Sequence, residues 1–186
     1  MSRIAIVYFS NSGVTGQLAD AIASGAKQEP GITVFEHKVE GHEILEGRFE
    51  NVALFEQLKL CDAIIFGSPT YMGSVSAQFK AFADASSDYW QNQAWSDKVS
   101  AGFTSGTALN GEQSSTLQYM ATLASQHGMF WVNIDASYGT ENSTLNRLGC
   151  QLGVVSHTTN NVAHDVDLAT AKHLGRRVAK LTLRIN

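Results

Sequence analysis

The sequence predicts an α/β protein built as one doubly wound, five-stranded parallel sheet with strand order 2-1-3-4-5. Three observations carry that reading: strand-length apolar runs recur along the chain, helically spaced segments lie between them, and the first, third and fifth runs are almost continuously apolar. Strands covered on both faces read in that way, whereas half-exposed antiparallel strands alternate. Parallel neighbours need crossover connections, so strand and helix in alternation are most simply accommodated by helices on both sides of one sheet. The 186 residues suit one domain spanning residues 1–186. Hydrophobic residues at 44% and charged residues at 16% are ordinary globular usage, far from the composition of disorder.

The first strand is expected over Arg3–Phe9, and the helix after it begins near Val14 with Leu18, Ile22 and Ala26 on its apolar face. The second strand is Ile32–Val39, followed by a helix from about Phe49 to Leu60 and a third strand over Ala63–Gly67. Val75, Phe79 and Phe82 then keep helical spacing, with Ser74 or Ser76 as the cap. The fourth strand, Val99–Ser105, leads to a helix carrying Leu117, Met120, Ala121 and Ala124, where Asn110 and Gln113 are spaced as a capping box. The fifth strand is Phe130–Ile134, and Ala171, Leu174, Val178 and Leu181 mark the last helix. Between them Asp135–Ser156, rich in Gly, Ser, Thr and Asn, reads as an insertion after or within the fifth strand, serving as a surface excursion, a subunit contact or a functional loop.

Several function classes are disfavoured. The net charge of -4, with basic residues scattered apart from Arg176 and Arg177, gives no footprint for nucleic acid. The apolar run Ile4–Phe9 is too short for a membrane span or a signal-peptide core, so a soluble, cytoplasmic protein is expected. Cys61 and Cys150 are far apart and fit reduced thiols, Cys61 simply packing; the six histidines show no metal-ligand spacing, so no metal is expected. A serine hydrolase would need a G-x-S-x-G elbow, which is absent. A response regulator would need acidic residues where the first strand ends in uncharged serines and asparagine.

That strand end is the most informative segment. Ser10, Asn11, Ser12, Gly13 and Thr15 join strand to helix at the edge where doubly wound sheets bind ligands. Unpaired backbone N–H groups and the positive end of the helix dipole can hold a phosphate there without a lysine, while the hydroxyls add donors. One cap needs only one such residue, so capping alone does not account for the run. A Walker A loop is excluded by the missing lysine, and a dinucleotide fingerprint by the missing third glycine. Two further junctions, Pro69–Gly73 with Tyr71 and Met72, and the Gly- and hydroxyl-rich stretch after the fourth strand, lie at the same edge. A phosphate at the first loop and a flat heteroaromatic ring between the other two describe flavin mononucleotide, FMN.

These segments, "IAIVYFSNSGVTGQLADAIASGA", "CDAIIFGSPTYMGSVSAQFKAFAD", "SAGFTSGTALNGEQSSTLQ" and "LASQHGMFWV", span nearly the whole chain, and the second is the most specific. The chain resembles the flavodoxin-fold flavoproteins of the WrbA type, the NAD(P)H:quinone oxidoreductases. That resemblance implies that Ser10, Asn11, Ser12, Gly13, Val14 and Thr15 hold the flavin phosphate. It implies that Pro69, Thr70, Tyr71, Met72 and Gly73, together with Thr104, Ser105, Gly106, Thr107 and Gly111, border the ring. His127 matches a family histidine placed near a subunit interface, and Trp90 an aromatic over the substrate cavity; with Tyr71 they form the expected catalytic set. A lone histidine between a helix and a buried strand also suits a purely structural, hydrogen-bonded group, and Trp90 and Trp95 suit core or interface packing. The fourth-strand loop "SGTALNG" has fewer glycines than the family usually shows, and "NSTLNRLGCQLGVVSHTTNN" departs from its commonest pattern.

The implied activity is two-electron transfer from NADH or NADPH to a quinone or similar small acceptor through FMN, in a homodimer or homotetramer. The rival is a flavodoxin-like electron carrier without turnover of its own, and a third reading is an interaction protein that has lost its cofactor.

Overall fold

The computed structural model describes residues 1–138 and 144–185. Among the described residues, nine strands and six α-helices follow in chain order: β1 (Ser2–Tyr8), α1 (Val14–Ala26), β2 (Ile32–Lys38), β3 (Ile44–Leu45), β4 (Arg48–Phe49), α2 (Val52–Lys59), β5 (Ala63–Tyr71), β6 (Ser74–Val75), α3 (Ala77–Ala85), α4 (Ser87–Trp90), β7 (Val99–Gly106), α5 (Gln113–Gln126), β8 (Phe130–Trp131), β9 (Val154–His157) and α6 (Asp165–Ile185). The main sheet runs β2-β1-β5-β7-β8, all parallel, with β9 also against β7. This is the expected 2-1-3-4-5 order.

At the fifth position the structure decides between the two expected alternatives, an insertion after the strand or within it. β8 pairs with Val99 and Ser100, β9 with Phe103 to Gly106, so both fragments share one edge of β7 at its two ends. The insertion therefore lies within the strand, and Val154–Ser156, read as part of the insertion, is strand. Gly153 marks the re-entry: a Cβ there would lie 2.4 Å from the Gly102 carbonyl oxygen, a contact only glycine avoids. Part of the predicted insertion, residues 139–143, lies outside the described residues.

Two helix starts also move. The helix expected from Phe49 begins at Val52, because Asn51 Oδ1 accepts the Leu54 N–H at 2.9 Å, and Phe49 belongs to a small hairpin. Of the two candidate caps for the next helix, Ser76 caps it by accepting from Phe79 N–H, while Ser74 and Val75 pair with β5.

The central strands β1, β5 and β7 bury both faces. Ile4, Ile6, Ile65 and Phe103 pack with Leu18, Ile22, Leu174 and Val178 of α1 and α6. Ala5, Val7, Ile64 and Phe66 pack on the other side with Phe55, Phe79, Phe82, Trp95 and Met120. Helices α1 and α6 cross closely: a Cβ on Gly25 would lie 1.9 Å from the Lys172 carbonyl oxygen and one on Gly175 1.9 Å from that of Ile22. Cys61 is buried, both cysteines are free, and among the described residues no helix is long and apolar enough to cross a membrane.

Candidate functional site

The first loop ends in a helix start whose N-cap residue is a glycine and brings no side chain of its own. Gly13 occupies the N-cap position with φ 91°, in the left-handed region, and α1 has no side-chain cap bond. The Gly16 N–H donates to Ser10 Oγ at 3.1 Å, and the Gln17 N–H to the Gly13 carbonyl at 3.0 Å. The main-chain N–H groups of Asn11, Ser12, Gly13, Val14 and Thr15 have no partner among the described residues. A Cβ at Gly13 would meet nothing within 4 Å, so the space beside this run is open. Unpaired N–H groups at the positive end of a helix dipole attract an anion without any charged side chain.

The second wall is a tight hairpin. Thr70 and Tyr71 of β5 pair with Val75 and Ser74, and the two turn residues both have positive φ, Met72 at 48° and Gly73 at 79°. A two-residue hairpin turn of the primed type demands that, and methionine adopts it at a cost. Tyr71 is half-exposed and Met72 fully so.

The third wall, after β7, is held from inside. Gln113, 6% exposed, donates from Nε2 to the Ala108 carbonyl at 2.5 Å and accepts the Gly111 N–H on Oε1 at 3.1 Å. The predicted capping box of Asn110 and Gln113 is thus not formed: the N-cap is Glu112, at φ 61°, with no side-chain cap bond. Gly106 leaves room for this arrangement, since a Cβ there would come within 2.6 Å of Gln113 Nε2 and displace the amide.

Hydroxyl pairs tie the walls together. Thr15 Oγ1 and Ser105 Oγ are 2.9 Å apart; Thr70 Oγ1 lies 2.8 Å from both Thr104 Oγ1 and Thr116 Oγ1. Between the walls is a cavity of about 170 Å³ lined by Ser12, Val14, Pro69, Thr70, Tyr71, Ser105, Gly106, Thr107, Thr158 and Asn161. The first eight are sequence candidates. Ser10, Thr15 and Thr104 are buried behind them as supports, and Asn11, Gly13, Met72, Gly73 and Gly111 belong to the surrounding loops. The residues present therefore fit FMN: donors without a counter-charge at one end, and two neighbouring junctions at the other.

Thr158 and Asn161 escaped the sequence reading, although "HTTNN" after an apolar strand carries the same polar signal as the other three junctions. Their turn is anchored by the buried Asp167 of α6. Arg147 grips Asp167 through two 2.7 Å bonds and donates to the His157 carbonyl at 3.1 Å, while Ser156 Oγ donates to Asp167 at 2.9 Å. His157 Nε2 sits 3.1 Å from the Thr107 carbonyl, joining this turn to the third wall.

His127 and Trp90 lie elsewhere in the chain. His127 caps the far end of α5, and the helix's 14 residues put about 21 Å between it and Gln113. Its ring is 1% exposed, lies 4.2 Å from that of Trp95, and Nε2 is 2.9 Å from Ser86 Oγ. Ser86 Oγ itself donates to the Ala83 carbonyl at 2.6 Å, which leaves His127 Nε2–H as donor to Ser86. Nδ1 has no partner among the described residues. Burial pushes His127 down to about 4, so the imidazole is neutral at pH 7. Trp90, His127, Arg48 and Tyr119 line a separate cavity of about 530 Å³, where burial, aided by Asp84, pushes the Tyr119 phenol up to about 12. The structure brings Trp90 and His127 together, but not with Tyr71 of the same chain.

Comparison with known proteins identifies the family of the chain. Residues 2–141 match the family model described as NADPH-dependent FMN reductase. The flavodoxin FldP of Pseudomonas aeruginosa is 38% identical, with 97% of each chain covered, and an NAD(P)H dehydrogenase (quinone) of Archaeoglobus fulgidus is 36% identical over the whole of both. A crystal structure of a flavodoxin, WrbA-like protein from Agrobacterium tumefaciens superposes with a TM-score of 0.80 at 35% identity, covering 100% of both chains. With three-quarters of its length matched by the family model and full-length relatives above a third identity, the chain belongs to the NADPH-dependent FMN reductase family.

Proposed function

We propose that the protein binds FMN at the carboxyl edge of its sheet and uses NADH or NADPH to reduce a quinone or a similar small acceptor. The observation that carries this reading is the run of five main-chain N–H groups, Asn11 to Thr15, left without partners at the start of α1 beside the cavity. Several relatives are named NAD(P)H dehydrogenase (quinone), which supports the same acceptor class.

FMN, when bound, supplies hydride chemistry that no protein side chain offers. The protein's part is to bind and orient. Ser12 to Thr15 hold the phosphate through main-chain donors; Pro69 to Gly73 and the Gly106–Gly111 stretch border the ring. The latter stretch is held in shape by Gln113, and its remaining main-chain N–H groups would serve as fixed donors to the ring. Tyr71, half-exposed at the cavity wall, positions substrate by stacking and hydrogen bonding. No cavity-lining residue is charged, and the neighbouring loop tips expose Met72 and Leu109, so a flat, neutral acceptor suits the mouth. On this reading the half-exposed Trp90 acts from a neighbouring copy in a dimer or tetramer, and His127, buried and neutral, supports that surface from within its own chain and not as a cation.

The second reading, an electron carrier, is favoured by the relative named flavodoxin. A carrier that docks by charge needs a charged rim around its redox centre, and the uncharged lining here speaks for the reductase. Two measurements on the purified protein decide. Flavin absorbance together with steady-state NAD(P)H consumption in the presence of a quinone is the expected result; bound flavin with almost no consumption identifies a carrier, and no flavin binding removes both readings.

A further inference from the structure

We infer that the turn after the split fifth strand is a fourth wall of the cofactor site, and that Asn161 recognises the terminal phosphate of FMN from it. The inference rests on the FMN reading above. Thr158 and Asn161 line the same cavity as Ser12 and Val14 of the phosphate loop, although they lie far away in the chain. Asn161 is held at φ 61°, a left-handed conformation that asparagine tolerates better than most residues.

The turn is fastened to the phosphate helix itself. Gln17, in the first turn of α1, donates from Nε2 to the Asn161 carbonyl at 3.0 Å and accepts the Ala163 N–H on Oε1 at 3.0 Å. Within the turn, Thr158 Oγ1 donates to Asn160 Oδ1 at 2.7 Å, and Asn160 Oδ1 also accepts the Val162 N–H at 3.2 Å. Those groups are committed to shaping the turn. The Asn161 side-chain amide, in contrast, has no hydrogen-bond partner among the described residues and stands at the cavity wall. An uncharged N–H donor is what a cradle without lysine or arginine would add to hold a phosphate oxygen, and hydrogen bonds to a charged partner are the stronger kind. Asn161 is thus a binding residue, and Gln17 the positioning residue that sets its place.

Riboflavin, which has the ring and ribityl chain of FMN but no phosphate, separates this role from a merely structural one. Apoprotein is titrated with FMN and with riboflavin, read by flavin fluorescence, with apoprotein melting temperatures as the folding control. Asn161→Gly keeps the left-handed backbone and removes only the amide; Asn161→Asp keeps the shape and sets a negative charge against the phosphate. FMN affinity is expected to fall about tenfold in N161G and further in N161D, with riboflavin affinity unchanged in both. Gln17→Leu should give a smaller loss, again confined to FMN. Unchanged FMN affinity in N161D, or equal losses for riboflavin, overturns the inference while leaving the FMN site standing. A wild-type protein that binds neither flavin overturns the inference and the reading beneath it together.

Discussion

The cavities at the two ends of α5 are built from different materials. At the carboxyl edge, side-chain hydroxyls bond to one another across the walls, as in Thr15–Ser105 and Thr70–Thr104, and main-chain donors are left for a ligand. At the other end, His127 and Trp90 sit beside the aromatic cluster of Phe55, Phe82 and Trp95, and the imidazole is buried and neutral. The first cavity can hold an anion with no cation in it, because the cross-links fix the donors before any ligand arrives. The second is lined by Arg48, Asp84, Tyr119, Leu123 and His127 beside the half-exposed Trp90, so charged side chains stand where the first cavity has none.

The contrast can be broken at the layer beneath the phosphate helix. Gly175→Ala places a methyl group 1.9 Å from the Ile22 carbonyl oxygen, and overpacking against backbone should lower unfolding free energy by about 3 kcal/mol. Denaturant titration checks this, and FMN affinity should fall with it, since α1 must shift, while fluorescence of Trp90 and Trp95 on the other face stays as in wild type. Ser12→Glu acts on the cradle alone. Ser12 is exposed and lines the cavity, so flavin retention through gel filtration should drop about a hundredfold, about 2.7 kcal/mol, with the melting temperature of the apoprotein unchanged.

Acid tests the other end. His127 has a folded value near 4 against 6.5 for the free side chain, so the unfolded chain takes up a proton that the folded one refuses. Stability from this group is present above pH 6.5 and is lost as pH falls from there towards 4, about 2 kcal/mol between pH 7 and pH 5. His127→Gln should flatten that portion of the pH–stability curve without altering flavin binding to a single chain. Thr15→Val, the mildest change, removes the Thr15–Ser105 bond and should cost about 1 kcal/mol, with a weaker flavin complex and no effect on the acid transition.

The parts legible in the sequence were those with a local cause. Strand runs such as Ile4–Val7 and Ala63–Phe66 are apolar on both faces because helices cover both, and the Ser10–Thr15 junction announces itself by excess hydroxyls over what one cap needs. The remainder depends on contacts between distant residues. Nothing near Thr15 shows that its hydroxyl meets Ser105, 90 positions away. Gln113 has the spacing of a capping box, yet its amide is drawn to the Ala108 and Gly111 main chain once the loop folds over it. The second half of the fifth strand has a weak local signal, because Val154–His157 is only four residues long and follows a polar insertion. Thr158 and Asn161 were overlooked with it.

The central claim is that uncharged main-chain donors at the start of α1 anchor FMN. Its most direct test is a titration of ¹⁵N-labelled apoprotein with FMN, followed by amide chemical shifts. The largest changes should fall on Ser12, Gly13, Val14 and Thr15, with smaller ones at Tyr71 and Thr107 and none at His127. Shifts centred on Trp90 and His127, with the Ser12–Thr15 amides unmoved, would contradict the account.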